Sequence, residues 1–310
     1  MVSAVQNTEQ IKQQLQQILT EHLGEGAKLN TFETVYGGNI NQAYQLSIGE
    51  NPSLPNKQPS QLFIKLNHIS QLEMFAAECA GLQEIMQSGR IRCPKPIAYG
   101  AHENVSYLLM EYITLAPPNA NSQREAGLQL AALHQTLEPE GRFGWPQDNT
   151  IGSTHQSNRY HINWVDFWRE ERLMPQLKLT KKQGMSVRDY EAGLRLCDQL
   201  PRFFKRYQPE PSLLHGDLWS GNMGYDASGA PVIFDPACYY GDRETDLAMT
   251  ELFGGFSGQF YQAYKEAFPI DSGYPQRKAL YQLYHILNHY HLFGGNYGQQ
   301  ATRLIKDLLH

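Results

Sequence analysis

The sequence predicts an α+β fold in two lobes, the first rich in β-strands and the second mostly helical. Three observations carry this expectation. Short apolar runs punctuated by glycine and proline turns fill the first third of the chain. Apolar residues at helical spacing dominate the remainder. A Pro- and Asn-rich loop after Tyr112 separates the two patterns, so the expected lobes are residues 1–110 and 111–310.

Residues 8–23 place Ile11, Leu15, Ile18, Leu19 and Leu23 at helical spacing on a Gln-rich, polar segment, which predicts an amphipathic helix. Phe32–Tyr36 and Ala43–Ile48 flank Gly37-Gly38-Asn39-Ile40-Asn41, and strand, glycine turn, strand is a hairpin pattern. Residues 49–60 hold three prolines among polar side chains and read as a loop. Gln61–Leu66 is a strand with Lys65 near its end. Ser70-x-x-Glu73 has the pattern of a capping box. It opens a helix with Leu72, Phe75, Ala76, Cys79, Leu82 and Met86 on one face, and Glu78 borders that face. Pro94-Lys95-Pro96 interrupts the chain. Ile97–Tyr99 and Ser106–Met110 are two further strands about the turn His102-Glu103-Asn104, and Glu111-Tyr112-Ile113 begins the link between lobes.

Ser122-x-x-Glu125 repeats the capping pattern ahead of a helix with Leu130, Ala131, Leu133, His134 and Leu137; His134 reads as a core or capping histidine. Residues 143–156, FGWPQDNTIGSTHQ, lack periodicity and are rich in hydrogen-bonding side chains. Long polar loops inside compact lobes are more often functional than idle, and Asp148 and Asn149 are the candidate substrate contacts here. Asn163–Met174, with Trp164, Phe167, Trp168 and Leu173, and Ser186–Tyr207, with Ser186 and Asp189 as its N-terminal box, are expected helices. Gly241–Ala248 begins another. Its Asp246 either braces the preceding loop through backbone N–H groups or answers the helix dipole, and both can hold. Pro275 starts the last long helix, carrying Leu280, Tyr284, Leu287, His291 and Leu292. His285 and His289 share a face there, but no H-E-x-x-H pattern is present and a zinc site is not favoured. No internal repeat organises the chain.

Ahead of Gly241 lies HGDLWSGNMGYDASGAPVIFD, residues 215–235. Asp217, Asn222 five residues on, and Asp235 eighteen after Asp217 stand in the order and at the gaps that kinase-like folds use for phosphoryl transfer. The run 231–234, PVIF, is apolar and β-prone, so Asp235 is expected to leave the end of a buried strand. A transferring phosphate needs an acceptor hydroxyl held in line and a divalent cation to neutralise spreading charge. Asp217 is the candidate for the first task. As a carboxylate of unperturbed pKa about 3.9 it is a weak base, so positioning is expected to outweigh proton abstraction. Asn222 and Asp235 are the candidate Mg2+ ligands, because Mg2+ takes hard oxygen donors.

The same order assigns Lys65, oriented by Glu78, to the α/β-phosphates of ATP. Gly37, Gly38 and Asn39 form a turn able to offer backbone N–H groups to phosphates. Met110, Glu111 and Tyr112 lie where an adenine edge would be read. Trp219, too bulky to serve the turn, is expected to wall the acceptor, with His215 as a second acceptor contact. The expected cofactors are ATP and Mg2+, in a bilobal protein-kinase-like fold.

Composition narrows the remaining classes. Net charge is −5 and no basic run exceeds Lys181-Lys182, which argues against nucleic acid as a partner. Cys79, Cys93, Cys197 and Cys238 are widely spaced and contain no C-x-x-C, as expected of reduced thiols. No apolar run approaches the length of a membrane span, and the N-terminal residues lack a signal-peptide pattern. These features lead to an expectation of a cytoplasmic protein with no membrane partner.

HGDLWSGN followed by FDPACYYGDRETDLAM resembles the fructosamine kinase (ketosamine 3-kinase) family, relatives of the aminoglycoside and choline phosphotransferases. Trp219-Ser220-Gly221-Asn222 and Asp235-Pro236-Ala237 are the specific part of the resemblance. The FG…DN-IG-T-Q pattern within 143–156 extends it, and it spans roughly residues 20–295. Some members carry a cysteine in the glycine turn where this chain has Asn39, so no thiol switch is expected there. The resemblance implies ATP-dependent phosphorylation of ribulosamines, erythrulosamines or fructosamines at the sugar O3. Those adducts are either small molecules or sit on lysines of glycated proteins. The 3-phosphate then eliminates and frees the amine, which is deglycation. A monomer or weak dimer is expected. Another small-molecule kinase of the aminoglycoside or choline type, and a kinase-shaped binding protein without activity, are the competing expectations.

Overall fold

The computed structural model describes residues 8–36, 41–49 and 61–310. The chain divides into two compact units, Met1–Gln83 with Pro94–Thr114, and Glu84–Cys93 with Leu115–His310.

The first unit is built on a five-stranded antiparallel sheet in the order β1-β2-β3-β5-β4. Its strands are β1 (Leu29–Thr34), β2 (Gln42–Ile48), β3 (Gln61–His68), β4 (Pro96–His102) and β5 (Val105–Glu111). Period-two alternation puts Tyr44, Leu46 and Ile48 beside Leu62, Ile64 and Leu66 on one face. Helix α1 (Thr8–Leu23) covers that face with Leu15, Ile18 and Leu19, all fully buried. Gln16 fastens the helix to the sheet: its amide donates to the Ala27 carbonyl at 2.7 Å and its oxygen accepts from the Leu29 N–H at 2.8 Å.

Helix α2 (Leu72–Ser88) does not open with the expected capping box. A 3-10 turn over Ile69–Gln71 precedes it, and the His68 ring, not Ser70, accepts the first free N–H, from Ser70 at 3.3 Å. Met86 lies exposed, and Ile85 is the residue buried in that last turn.

In the second unit, α3 (Ser122–His134) also lacks its expected box. Ser122 is the first helical residue, and its hydroxyl donates to the Gly229 carbonyl at 2.8 Å while accepting from Asn119 N–H. The short strands β6 (Asn149–Ile151) and β7 (Thr154–Gln156) pair as a hairpin. Helix α4 (Trp164–Phe167), a π-turn over Trp168–Leu173 and α5 (Met174–Lys182) follow one another without a break.

Helix α6 (Val187–Asp198) is capped by Ser186 as expected, with Asp189 N–H donating to its hydroxyl at 3.1 Å. It ends well short of Tyr207, however. Pro201 has no N–H to continue the helix, and a 3-10 turn over Leu200–Phe204 replaces it. Strands β8 (Ser212–Leu214) and β11 (Tyr239–Gly241) pair with each other, as do β9 (Met223–Tyr225) and β10 (Pro231–Ile233). Helices α7 (Glu244–Leu252), α8 (Gly258–Ala267), α9 (Tyr274–Phe293) and α10 (Asn296–Leu309) complete the unit.

Trp164, Phe167, Trp168, Tyr281 and Tyr284 form an aromatic core between the π-turn and α9; Trp168 meets Tyr281 edge-on at 4.9 Å. All four cysteines are buried. Among the described residues no helix is long and apolar enough to cross a membrane.

Candidate active site

Two strand pairs in the second unit set the reactive loop. Pairing of β8 with β11 places Leu214 opposite Tyr239, so the chain leaving β8 at His215 runs beside 236–238 before it enters β11. Ala237 N–H donates to the His215 carbonyl at 2.8 Å. Gly216 sits at φ +83°, and a Cβ there would come within 2.1 Å of the Ala237 carbonyl oxygen, so only glycine fits. The His215 ring is fully buried and both its nitrogens serve the loop. Nδ1 accepts from Asp217 N–H at 3.2 Å, which leaves Nε2 to donate to the Phe234 carbonyl at 3.0 Å. Burial lowers its pKa and holds it neutral. His215 thus occupies the inside of the loop.

Asp246, in the first turn of α7, grips this loop from below. Its carboxylate accepts from His215 N–H at 2.7 Å and Gly216 N–H at 2.9 Å. The His134 ring bonds the same carboxylate at 3.2 Å and is itself bonded to the Tyr264 hydroxyl at 2.7 Å. Burial alone would raise the Asp246 pKa; the His134 ring and the Gly216 N–H outweigh it and lower the pKa. The expected brace is present, and His134 is a core histidine that supports it.

Above this base the predicted triple comes together. Asn222 donates through Nδ2 to the Asp217 carbonyl at 2.9 Å and approaches the Asp217 carboxylate at 3.5 Å. Phe234 N–H donates to the Asn222 carbonyl at 3.1 Å, which ties the end of β10, and so Asp235, to the Asn222 turn. Asp235 leaves that strand at φ +59°, a left-handed conformation that Asp tolerates better than most residues. Asp217 remains 23 % exposed at its side chain. Burial, then the negative charges of Asp235 and Asp246, push its pKa up to about 7, against the pull of the Asn222 amide. The expectation of an ordinary carboxylate is therefore corrected: its surroundings bring it close to neutrality.

His285, which sequence reasoning weighed only as a metal ligand, faces Asp217 from α9, Nδ1 to Oδ1 3.9 Å. Burial, with the neighbouring His289, lowers its pKa to about 3, so it is neutral and the contact is not an ion pair. At 3.9 Å it is also too long for a direct hydrogen bond. No sequence motif marks His285; only the packing of α9 against the loop brings it there.

Trp219 lies across its own loop. A Cβ on Gly221 would fall 2.2 Å from the indole, so one face of the ring rests on that glycine while 39 % of the residue stays exposed. Asn149 is buried, donating to the Cys238 carbonyl at 2.7 Å and accepting from Gln156 and Asn158. It buttresses the segment after Asp235 from within. Asp148 accepts from Asn158 N–H at 2.8 Å and pairs with the exposed His155 at 3.1 Å.

In the first unit, Lys65 is buried and its ammonium meets Glu78 at 2.6 Å, the strand-to-helix pair foreseen from their order. Met110 is buried in β5, and Glu111 N–H donates to the Lys95 carbonyl at 2.9 Å; Tyr112 follows half-buried. Gly37, Gly38 and Asn39 lie outside the described residues.

Asn222 and Asp235 suit a hard divalent cation. Their donors are an amide oxygen and a carboxylate, and committing the Asn222 nitrogen to the Asp217 carbonyl reserves Oδ1 for another partner.

Comparison with known proteins gives a consistent picture. The family model of fructosamine kinase matches residues 11–310. A probable ketoamine kinase of Synechocystis sp. is 44 % identical over 297 residues, 96 % of each chain. The chloroplastic protein-ribulosamine 3-kinase of Arabidopsis thaliana is 40 % identical, over 94 % of this chain and 86 % of the relative. The crystal structure of a candidate fructosamine-3-kinase from Haemophilus somnus 129PT superposes with a TM-score of 0.84 at 28 % identity, over 96 % and 97 % of the two chains. An aminoglycoside phosphotransferase solved as a ternary complex with ADP and hygromycin B shares the fold, with a TM-score of 0.62 at 14 % identity over 95 % and 97 %. The fold is thus the bilobal kinase-like one, and the chain belongs to the fructosamine kinase family.

Proposed function

We propose that this chain transfers the γ-phosphoryl group of ATP to the O3 hydroxyl of a ketosamine, a ribulosamine, erythrulosamine or fructosamine on a small amine or on a protein lysine. The observation that carries this reading is the convergence of Asp217, Asn222 and Asp235 on one loop and strand end, in a member of a sugar-adduct kinase family.

Asp217 orients the acceptor hydroxyl. The O3–P bond forms as the bond from Pγ to the β,γ-bridging oxygen breaks, ADP departs, and the hydroxyl proton passes to the Asp217 carboxylate. Burial strengthens that carboxylate's hold on the proton. Asn222 and Asp235 hold Mg2+, which when bound neutralises charge on the phosphates. Lys65, kept in place by Glu78, binds the α/β-phosphates in the 1–110 lobe, and backbone at Met110, Glu111 and Tyr112 reads the adenine. Gly37, Gly38 and Asn39 remain the candidates for phosphate contact through backbone N–H groups. Trp219 walls the sugar in the 111–310 lobe, with Asp148 outside it. His215 and Asn149 act on the acceptor through the loop they hold. The setting is the cytoplasm, with a monomer or weak dimer as the working unit.

The test compares ribulose-lysine, fructose-lysine, an aminoglycoside and choline by ADP release, with the phosphate position read by phosphorus NMR and Asp217→Asn as the blank. A 3-phosphorylated ketosamine absent from the blank is expected. Turnover confined to the aminoglycoside or choline would overturn the proposal.

A further inference from the structure

The tetrapeptide Leu-Phe-Gly-Gly occurs twice, at 252–255 and 292–295. Each copy ends a helix, α7 and α9 respectively. In both copies the two glycines take positive φ, +75° and +99° in the first, +66° and +59° in the second. That conformation stops a helix abruptly, and each stop leaves a phenylalanine exposed: Phe253 at 42 % and Phe293 at 61 %. Both rings contact His289, Phe253 at 5.1 Å and Phe293 at 5.5 Å, and Tyr297 adds a third neighbour at 5.0 Å. Phe253 also meets the exposed edge of Trp219 at 6.4 Å. The Gly254-Gly255 turn packs so closely on Ser220 that a Cβ on Gly255 would lie 2.4 Å from it.

These contacts make one continuous aromatic ridge, Trp219–Phe253–His289–Phe293/Tyr297. Its inner end is fixed at the reactive carboxylate twice over: Trp219 is two residues from Asp217, and His285, one turn before His289, faces Asp217 directly. Its outer end reaches solvent at Phe293.

We infer that this ridge is the subsite for the amine-bearing half of the acceptor, and that it selects ketosamines carried on a lysine within a polypeptide over those on small amines. The inference rests on the ketosamine reading proposed above. When O3 lies at Asp217, the amine on C1 is only two carbons from C3, so the substituent leaves the site close by, and Trp219, two residues on in the same loop and partly exposed, is the ring placed to meet it. A secondary amine of this kind is protonated at neutral pH, and a cation is stabilised over an aromatic face. A lysine stem beyond it is four methylenes of apolar surface, which Phe253 and His289 match in kind. Phe293 and Tyr297 then meet the peptide itself. A methylamine adduct ends at Trp219 and gains nothing from the outer rings.

The experiment measures kcat/KM for a peptide with an internal ribulosyl-lysine and for ribulosyl-methylamine, in the wild type, Phe253→Ala, Phe293→Ala and Phe253→Tyr. The wild type is expected to favour the peptide. Each alanine variant should lower the peptide-to-methylamine ratio about fivefold, through KM for the peptide, the scale of one exposed aromatic contact. Phe253→Tyr, which keeps the ring, should restore it, and Ile162→Ala, an exposed apolar residue elsewhere on the same unit, should leave the ratio alone. Binding is read separately without ATP from tryptophan fluorescence, because Trp145, Trp164 and Trp168 are buried and Trp219 alone of the four is exposed. The peptide should quench it, and more weakly in both alanine variants. A wild type that phosphorylates both adducts but shows a ratio unmoved by either alanine overturns the ridge and leaves the kinase reading standing. A wild type that phosphorylates neither overturns both.

Discussion

At Asp217 the surroundings decide the charge. The unfolded carboxyl titrates near 3.8 and the folded one near 7, raised first by burial and then by Asp235 and Asp246. Folding therefore takes up a proton. The group favours the folded state fully below about pH 4 and progressively disfavours it as pH climbs to 7. Asp217→Asn, neutral at every pH, should match the wild type in urea unfolding near pH 4 and exceed it by roughly 2 kcal/mol at pH 8 with metal and nucleotide removed. The full interval sets a ceiling of roughly 4 kcal/mol at about 1.4 kcal/mol per pKa unit, and the residual exposure of the side chain argues for half. Its kcat should fall by about two to four orders of magnitude. A stability difference that stays constant from pH 4 to 8 would show that burial does not hold the proton. Lys65 poses the opposite case, a buried cation whose charge is met by Glu78 at 2.6 Å. Glu78→Gln removes that charge in a buried setting, where breaking a pair costs about 3 kcal/mol or more. A lower midpoint in denaturant together with a raised KM for ATP is expected; a changed KM at unchanged stability would mean the pair contributes nothing to the first unit's fold.

Among the elements, the π-turn at Trp168–Leu173 has no counterpart in the sequence pattern. Trp164, Phe167, Trp168 and Leu173 satisfy ordinary helical spacing, so a plain helix was the natural expectation. The turn's effect is to bring Arg172 inside. Its guanidinium is fully buried, donating to the Ser157 carbonyl at 2.6 Å and the Asn158 side chain at 2.7 Å, and it lies over the Tyr239 ring at 4.0 Å. Asn158 in turn holds Asn149, which holds the Cys238 carbonyl three residues beyond Asp235. Arg172→Met should cost about 3 kcal/mol, since the Ser157 carbonyl, the Asn158 side chain and the Tyr239 ring lose their partner. Arg172→Lys should not recover it, because a point charge cannot reproduce the planar fork. Full recovery by lysine, measured by denaturant unfolding, would reduce Arg172 to a generic positive charge. The capping patterns at Ser70 and Ser122 misled for a related reason. Both serines are present with the right spacing, but His68 and Gly229 compete for them through contacts that no local pattern encodes. Helices α8 and α10 were also not anticipated; the first Leu-Phe-Gly-Gly ends two residues before α8, and the second directly precedes α10.

Across the whole molecule, what could be read in advance was whatever is local and chemical. The strands of the first unit follow from short apolar runs and the turn residues between them; their order in the sheet does not. The phosphoryl-transfer triple follows from spacing, and the Lys65–Glu78 pair follows from strand-then-helix order. What could not be read depends on distant segments meeting: His285 against Asp217, Asn149 turned inward, and the aromatic ridge assembled from α7, α9 and the catalytic loop. One consequence joins these levels. The charges of Asp235 and Asp246 raise the pKa of Asp217, so the metal-free protein carries crowded negative charge in this loop. A ligand that brings positive charge to Asn222 and Asp235 should relieve it and stabilise the fold by linkage. At a hundredfold excess over its dissociation constant, such a ligand contributes about 2.7 kcal/mol. For a chain of this size that corresponds to a rise in Tm of roughly 5 °C. With Mg2+ and a non-hydrolysable ATP analogue together, that rise is expected in the wild type, and chelation with EDTA should remove most of it. Asp235→Asn should melt higher than the metal-free wild type, having lost a carboxylate beside Asp217 while keeping a side chain that tolerates the left-handed backbone there. It should then respond little to Mg2+. If the wild type gains the same 5 °C in EDTA, the nucleotide is held without a cation at Asn222 and Asp235, and those two residues lose the role proposed for them.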